Sequence, residues 1–358
     1  SVCGYDKTPS ALTRSLENEG IRISYSDDPA GIPVLPELVV RTPAVPESSL
    51  IYRYFKDHKL PLMKRAEVLG IISAKTPTIA VAGTHGKTTI STMLAHIFKS
   101  AGIPCIAFLG GISTNYGTNY IGDHKPEWLI AEADEFDRSF MHLHPQIALI
   151  SSIDPDHLDV YQSREELSIS FREFAGLLPE NGTLVCRHDT VDKLAFRGKT
   201  YTYGTVPEAD YSARDINILN GSYVANFIGL LKINNITSGQ AGRHNLENAL
   251  AAAALADQAG LSAADIKKGL ASFGGVKRRF EICHRGGNMV YVDDYAHHPE
   301  EIKACIASAR EMWPGREITV VFQPHLYSRT RDLAEEFAES LSLPDRLILL
   351  DIYPAREE

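Results

Sequence analysis

The sequence predicts an α/β protein organised around a mostly parallel sheet, and three observations lead there. Short continuous apolar runs at 78–82, 105–109, 128–131 and 147–153 alternate with segments of helical periodicity such as 90–101, the pattern of strands covered on both faces by crossover helices. The first of these runs feeds a glycine turn, Gly83-Thr84-His85-Gly86-Lys87-Thr88-Thr89, that opens directly into a helix. Beyond residue 276 the alternation resumes, with strands expected at 289–292, 317–322 and 346–352 and helices at 299–310 and 331–341, which reads as a second parallel α/β region.

Taken in order, residues 1–75 form a first domain. A strand ends at Asp6, a helix spans 10–19, and Pro33, Pro36, Pro43 and Pro46 punctuate the segment after that helix. Asp6 reads equally as a ribose contact or as a solvated carboxylate. Residues 76–275 form the central domain, in which Ile90, Met93, Leu94, Ile97 and Phe98 fall on one face of the helix after the glycine turn. Asn181-Gly182, between apolar runs, predicts a hairpin at the sheet edge. Residues 276–358 form the third domain. The chain opens in what reads as a strand in progress and stops just after another, so both ends are expected to be truncated.

The bulk numbers exclude several classes. With 358 residues, 44% apolar and 23% charged, the chain has the make-up of a globular protein of two or three domains. A net charge of −9 argues against nonspecific nucleic-acid binding. Five scattered cysteines (Cys3, Cys105, Cys186, Cys283, Cys305) form no zinc spacing and are expected to serve packing in a reducing compartment. No apolar run approaches a membrane span and no leader pattern opens the chain, so a cytoplasmic protein is expected.

The glycine turn reads as a nucleoside triphosphate cradle. A helix N-terminus leaves backbone N–H groups without intrahelical partners, which suits phosphate oxygens. Lys87 adds a mobile positive charge and Thr88 a hydroxyl suited to Mg²⁺. The turn is shorter than the general P-loop, because Val81 stands where that pattern begins with glycine. Glu132, at the tip of a strand, is placed to hold the metal, with a solvated loop Glu132-Ala133-Asp134-Glu135-Phe136-Asp137 as the alternative. His157 follows the next strand and suits a second metal or the orienting of a carboxylate. Asn245 reads evenly as an adenine contact or as an N-cap. Lys277-Arg278-Arg279-Phe280 puts guanidinium charge at a domain junction, in reach of a γ-phosphate. The runs 293–299 and 323–331 both come directly after strands, and polar residues at successive strand ends converge on one crevice.

Together these motifs resemble the Mur ligase family: the glycine turn, Glu132-Ala133-Asp134-Glu135, Asp156-His157-Leu158-Asp159, Arg243-His244-Asn245 with Asn248, Arg278-Arg279-Phe280, Asp294-Tyr295-Ala296-His297-His298-Pro299 and Tyr353-Pro354-Ala355-Arg356-Glu357. The resemblance implies three domains, a parallel-sheet P-loop ATPase centre flanked by Rossmann-like domains. It implies ligation of L-alanine to the lactyl carboxylate of UDP-N-acetylmuramate through an acyl phosphate, with ATP and Mg²⁺, in peptidoglycan precursor synthesis. Carried over, Gly83, Thr84, His85, Gly86, Lys87, Thr88 and Thr89 cradle the phosphates, with Asn245 at adenine and Asp294 at the ribose. Thr88 and Glu132 become metal ligands, with His157 at a second metal. Lys87, His157, Arg279 and Arg329 are the catalytic set, and Tyr295, His297, His325 and Arg329 contact substrate. The expected partners are small-molecule substrates, with no nucleic acid and no membrane, and the assembly a monomer or homodimer.

Leu326 stands where many alanine-adding members carry an arginine, which shifts carboxylate recognition toward Arg329. Arg172 and Glu173 occupy the region where sister ligases carry a carbamylated lysine, so none is expected. The nearest rival activity joins a tripeptide to the same nucleotide sugar; Pro324-His325-Leu326-Tyr327-Ser328-Arg329 speaks for alanine. Folylpolyglutamate synthesis, a GTPase-like switch and a nucleotide-binding module without turnover fit fewer motifs. Lys87 and Arg329 fall in different domains, so closure around a shared substrate is expected.

Overall fold

The computed structural model describes residues 2–354 apart from 33, 155–160, 162, 220 and 221. It separates into two compact units, one of residues 1–75 with 139–144, the other of 76–138 with 145–358.

In the first unit β1 (Cys3–Tyr5) pairs in parallel with β2 (Arg22–Ser24) around α1 (Ala11–Asn18). Ser10 caps α1 by accepting from Thr13 N, which is why the helix begins there. β3 (Val39–Arg41) pairs in parallel with β4 (Leu62–Lys64), and α2 (Leu50–Asp57) and α3 (Arg65–Ser73) complete the unit. Asp27 binds the start of α2 through Ser49 Oγ, Leu50 N and Ile51 N. Asp6 is exposed and accepts from Thr8 N at 3.0 Å, in keeping with the solvated alternative.

The second unit is built on one long sheet. Its strands are β5 (Thr78–Ala82), β6 (Cys105–Phe108), β7 (Tyr120–Ile121), β8 (Trp128–Glu132), β9 (Ile147–Ile150), β10 (Thr183–Arg187), β11 (Lys199–Gly204), β12 (Tyr211–Leu219), β13 (Ser222–Gly229) and β14 (Ile233–Thr237). They lie in the order β14-β13-β12-β11-β10-β9-β5-β8-β6-β7. Neighbours from β12 through to β6 run parallel, while β7, β13 and β14 pair antiparallel at the two edges. The expected hairpin at Asn181-Gly182 is corrected: Gly182 N bonds Pro179 O in a turn between α5 (Arg164–Ala175) and β10. The preceding element is a helix whose Phe171 and Phe174 are buried, so the Asn-Gly pair reverses helix into parallel strand. The antiparallel pair falls instead at β12–β13.

Helix α4 (Lys87–Ala101) is buried on every side, not on one face as its apolar spacing suggests. Its polar residues are accounted for locally: Ser91 and Thr92 hydroxyls donate to Thr88 O, and the His96 ring lies between Tyr116 Oη and Ser272 Oγ. After α6 (Val191–Leu194), the helices α7 (Arg243–Gln258) and α8 (Ala263–Ser272) pack on α4. Gly269 permits the approach, since a Cβ there would sit 2.8 Å from Ile97 Cα. Ile79, Ile130 and Leu149 are fully buried in this core, and each contributes about 2 kcal/mol.

The last region is less regular than its sequence suggests. β15 (Glu281–Gly286) and β16 (Met289–Asp293) form an antiparallel hairpin, followed by α9 (Pro299–Met312), β17 (Thr319–Phe322), α10 (Tyr327–Asp332), α11 (Ala334–Leu341) and β18 (Arg346–Leu349), which is parallel to β17. The single helix expected at 331–341 is broken at Leu333. Cys105 and Cys186 are packed as expected, but Cys3 and Cys283 are exposed.

Candidate active site

Strand order sets the site. The order of connections reverses around β5, between β9 and β8, which opens a crevice beyond the carboxyl ends of these strands. Gly83 to Thr89 leave β5, Glu132 ends β8, and Ser151 and Ser152 leave β9 at the same edge.

The loop is clamped from β9. Thr84 N bonds Ser152 O at 3.1 Å, Thr84 Oγ1 lies 2.8 Å from Ser152 Oγ, and His85 N donates to Ser152 Oγ at 3.0 Å. Ser151 Oγ donates to His85 O. Gly83 has φ 122° and a Cβ there would lie 2.7 Å from Ser151 N, so glycine is required. Gly86, φ 82°, caps α4 with no side-chain hydrogen bond at the helix start. The first N–H groups of α4 are thus not taken by a capping side chain, which suits an anion.

Lys87 is not the mobile cation its motif suggests. Nζ sits 2.8 and 2.9 Å from the two carboxylate oxygens of Glu135, a side chain with no exposure. Burial works against the charge of Lys87, but Glu135, Asp134 and Glu132 hold it protonated and its pKa raised. Thr88 Oγ1 donates to Glu132 Oε1 at 3.1 Å, and Glu132 Oε2 accepts from Gly110 N at 2.8 Å. Burial raises the Glu132 and Glu135 carboxyls despite Lys87. Desolvated acids beside a hydroxyl form an all-oxygen donor set that fits a hard divalent cation, which would offset the crowding of negative charge. His157 lies outside the described residues.

The N-terminus of α7 forms the next wall. Gly242, not Asn245, is its N-cap. The buried Asn245 donates Nδ2 to Ala241 O at 2.5 Å and accepts from Asn248 Nδ2 at 3.1 Å, so its amide is partly engaged by the protein. Burial lowers the His244 pKa to about 4, leaving a neutral ring against Phe280, centroids 6.1 Å apart.

The opposite wall comes from the last region. Arg278 and Phe280 have φ 60° and 48°, and the turn is held by Asp294, which accepts from Phe280 N at 2.6 Å and Ala296 N at 2.7 Å. Gln240 Nε2 donates to Arg279 O. Burial lifts the Asp294 carboxyl to about 6 despite these bonds. The Arg279 guanidinium lies 5.4 Å from the Tyr295 ring centroid. Glu301 of α9 faces His85 Nδ1 at 3.3 Å and His297 Nδ1 at 3.3 Å. His325 stacks on Tyr353, centroids 5.8 Å apart, and is bridged to it through the backbone.

These walls enclose a cavity of about 930 Å³ lined by Thr84, His85, Gly86, Lys87, Thr88, Thr89, Glu132, Asn245, Arg279, Asp294, Tyr295, His297, His325 and Arg329. Of the site residues that the resemblance assigns, Gly83 packs against Ser151 without lining the cavity and His157 is not described; the others line it. Sequence reasoning missed Ser151, Ser152, Arg187, Tyr203, Glu247 and Glu301, which also line it. Arg187 and the two serines could have been found as polar residues at or just past the carboxyl ends of parallel strands; Glu301 had no such signal. Arg172 lies elsewhere, its Nε donating to Lys193 O at 2.9 Å.

Comparison with known proteins agrees with this geometry. Residues 81–256 match the Mur ligase middle domain and residues 278–358 the Mur ligase glutamate ligase domain. The chain is 46% identical to a UDP-N-acetylmuramate–L-alanine ligase of Cytophaga hutchinsonii, over 100% of this chain and 79% of that one. A protein of the same name from Parabacteroides distasonis is 47% identical with the same coverage. The crystal structure of the UDP-N-acetylmuramate-alanine ligase of Thermotoga maritima superposes with a TM-score of 0.83 at 27% identity, covering 98% of this chain and 80% of that one. A murein peptide ligase from Psychrobacter arcticus gives 0.71 at 25% identity, covering 98% and 79%. No helix among the described residues is long and apolar enough to cross a membrane. On sequence, on fold and on the residues that line its cavity, this chain belongs to the Mur ligase family.

Proposed function

We propose that the protein joins L-alanine to the lactyl carboxylate of UDP-N-acetylmuramate at the expense of ATP, a step of peptidoglycan precursor synthesis in the cytoplasm. One observation carries the reading: Lys87, Thr88 and Glu132 at the sheet edge share a single cavity with Arg279 and Arg329 from the last region. Relatives bearing the alanine-ligase name at 46% and 47% identity support the choice of substrates.

A carboxylate resists attack by an amine until one of its oxygens becomes a leaving group. In the proposed reaction a lactyl carboxylate oxygen attacks the γ-phosphorus and ADP departs; the alanine amine then attacks the acyl carbon, phosphate leaves and the amine loses a proton. Lys87 and Arg279 neutralise charge on the transferring group from opposite sides, and the uncapped start of α4 binds the phosphates. Lys87 does this by sharing or leaving Glu135. Mg²⁺, when bound, supplies further charge neutralisation, and Thr88 and Glu132 are the residues that hold it; His157 is assigned to a second metal by the resemblance alone. Asn245 faces adenine, and Asp294 the ribose. Tyr295, His297, His325 and Arg329 bind the acceptor side. We assign 1–75 to nucleotide-sugar binding, 76–275 to the ATPase and 276–358 to the closing domain, in a monomer or homodimer.

The test is phosphate release from ATP with UDP-N-acetylmuramate, comparing L-alanine, L-Ala-γ-D-Glu-diaminopimelate and no acceptor. Release that requires L-alanine supports the reading. Release with the tripeptide alone reassigns the acceptor, and release with none of them defeats the ligase.

A further inference from the structure

Glu301 is the third residue of α9, whose N-cap is His298 and whose first residue is Pro299. Its Oε2 accepts from His297 N at 3.0 Å, reaching back over the helix start to the residue before the N-cap. Its other oxygen faces out of the helix, 3.3 Å from Nδ1 of His85 in the glycine turn. The backbone of His85 is already fastened by Ser151 and Ser152. The orientation of the imidazole is then the remaining variable, and Glu301 on Nδ1 with Asp154 at 3.8 Å from Nε2 brackets it from both sides.

A helix cap alone would not require this arrangement. The neighbouring Glu300 also lines the cavity but is exposed and pairs with Lys303 on its own helix, whereas the side chain of Glu301 is 19% exposed. A carboxylate in a pocket that takes polyphosphate is repelled by its ligand unless its charge is directed at another group. Both oxygens of Glu301 are turned onto imidazoles, His85 and His297. Burial works against its ionisation, yet the two rings hold it well below the usual carboxylate range.

We infer that Glu301 is a positioning residue for nucleotide binding, acting through His85: it fixes the P-loop imidazole at the cradle and thereby ties α9 to the loop. The inference rests on the nucleotide reading of the cavity. The test is a double-mutant cycle of Glu301→Gln and His85→Asn, read by titration with a fluorescent ATP analogue and by thermal melting. Glu301→Gln keeps an oxygen for His297 N–H and should melt like the wild type while nucleotide affinity falls about tenfold, within the coupling range of one polar network. His85→Asn should lose a similar factor, and the double variant no more than the larger single loss. Wild-type affinity in Glu301→Gln, or losses that multiply in the double variant, overturns the inference. A general loss of stability would likewise multiply with His85→Asn, so the cycle stays decisive if Glu301→Gln lowers the melting temperature. A wild-type protein that binds nucleotide but releases no phosphate with any acceptor defeats the ligase reading and leaves this cycle intact; one that binds none overturns both.

Discussion

On the central wall of the cavity the functional groups stand at the ends of strands β5, β8 and β9, whose apolar residues are buried apart from a partly exposed Trp128, and the glycine turn is bonded directly to Ser151 and Ser152. On the C-terminal wall they stand on turns beside short two-stranded sheets, and β18 is exposed along its whole length. There, Asp294 and Gln240 hold the Arg279 turn through a few hydrogen bonds, and Arg278, Phe280 and Leu326 all take positive φ. The difference teaches that one wall is shaped by the core and the other by local polar contacts. Changes on the first should alter stability and activity together, and changes on the second should separate them.

The largest expected effect tests the coupling on the central wall. Lys87→Ala should cut alanine-dependent phosphate release by at least about a thousandfold. Because it strands the fully buried Glu135, it should also cost about 3 kcal/mol in urea denaturation. Full stability with lost activity would break the comparison. Next, Arg279→Ala should lower turnover about a hundredfold with no change in melting temperature, since its carbonyl and neighbours, not its guanidinium, hold the turn. A large drop in melting temperature would show that this wall too is shaped by its side chains.

The start of α7 and the C-terminal wall should also respond to acid with opposite sign. His244, ordinarily near 6.5, titrates at about 4 in the folded chain. The unfolded chain therefore binds more protons between these values, and His244 confers stability that is full above pH 6.5 and lost toward pH 4. Asp294, ordinarily 3.8, titrates at about 6. The folded chain binds more protons in that window, so Asp294 costs stability as pH rises from 3.8 to 6 and returns it on acidification. Each effect is on the order of 3 kcal/mol by the usual conversion. Denaturation curves at pH 7, 6 and 5 should show a smaller acid loss in His244→Gln and a steeper one in Asp294→Asn; equal slopes would refute the assignment. The smallest effect belongs to Leu326, whose φ of 72° is costly for a branched side chain. Leu326→Gly should stabilise by about 1 kcal/mol in the same assay, and a loss would show that leucine packing outweighs the backbone strain.

Much of the sheet was legible because β5, β8 and β9 are buried on both faces and read as unbroken apolar runs. Where one face is wet, legibility fell: the β15–β16 hairpin, with its exposed central residues, was half missed. Asn181-Gly182 misled because a turn signal does not say which elements it joins. Of the site, Thr88 was readable from the glycine turn and Glu132 from a strand end, and the two do meet. Glu301 was hidden, since its partner lies far away in the chain.

The sequence by itself determined the class of fold, the glycine turn and the set of polar residues at strand ends, because these depend on periodicity and on steric demands local to a few residues. Tertiary structure decided that Lys87 rests on Glu135, that α4 is buried all round, that Asn245 is bonded within its own helix start and that Glu301 faces His85. These depend on which charges and surfaces are brought together from distant segments. Desolvation and pairing energies exist only once that packing has formed.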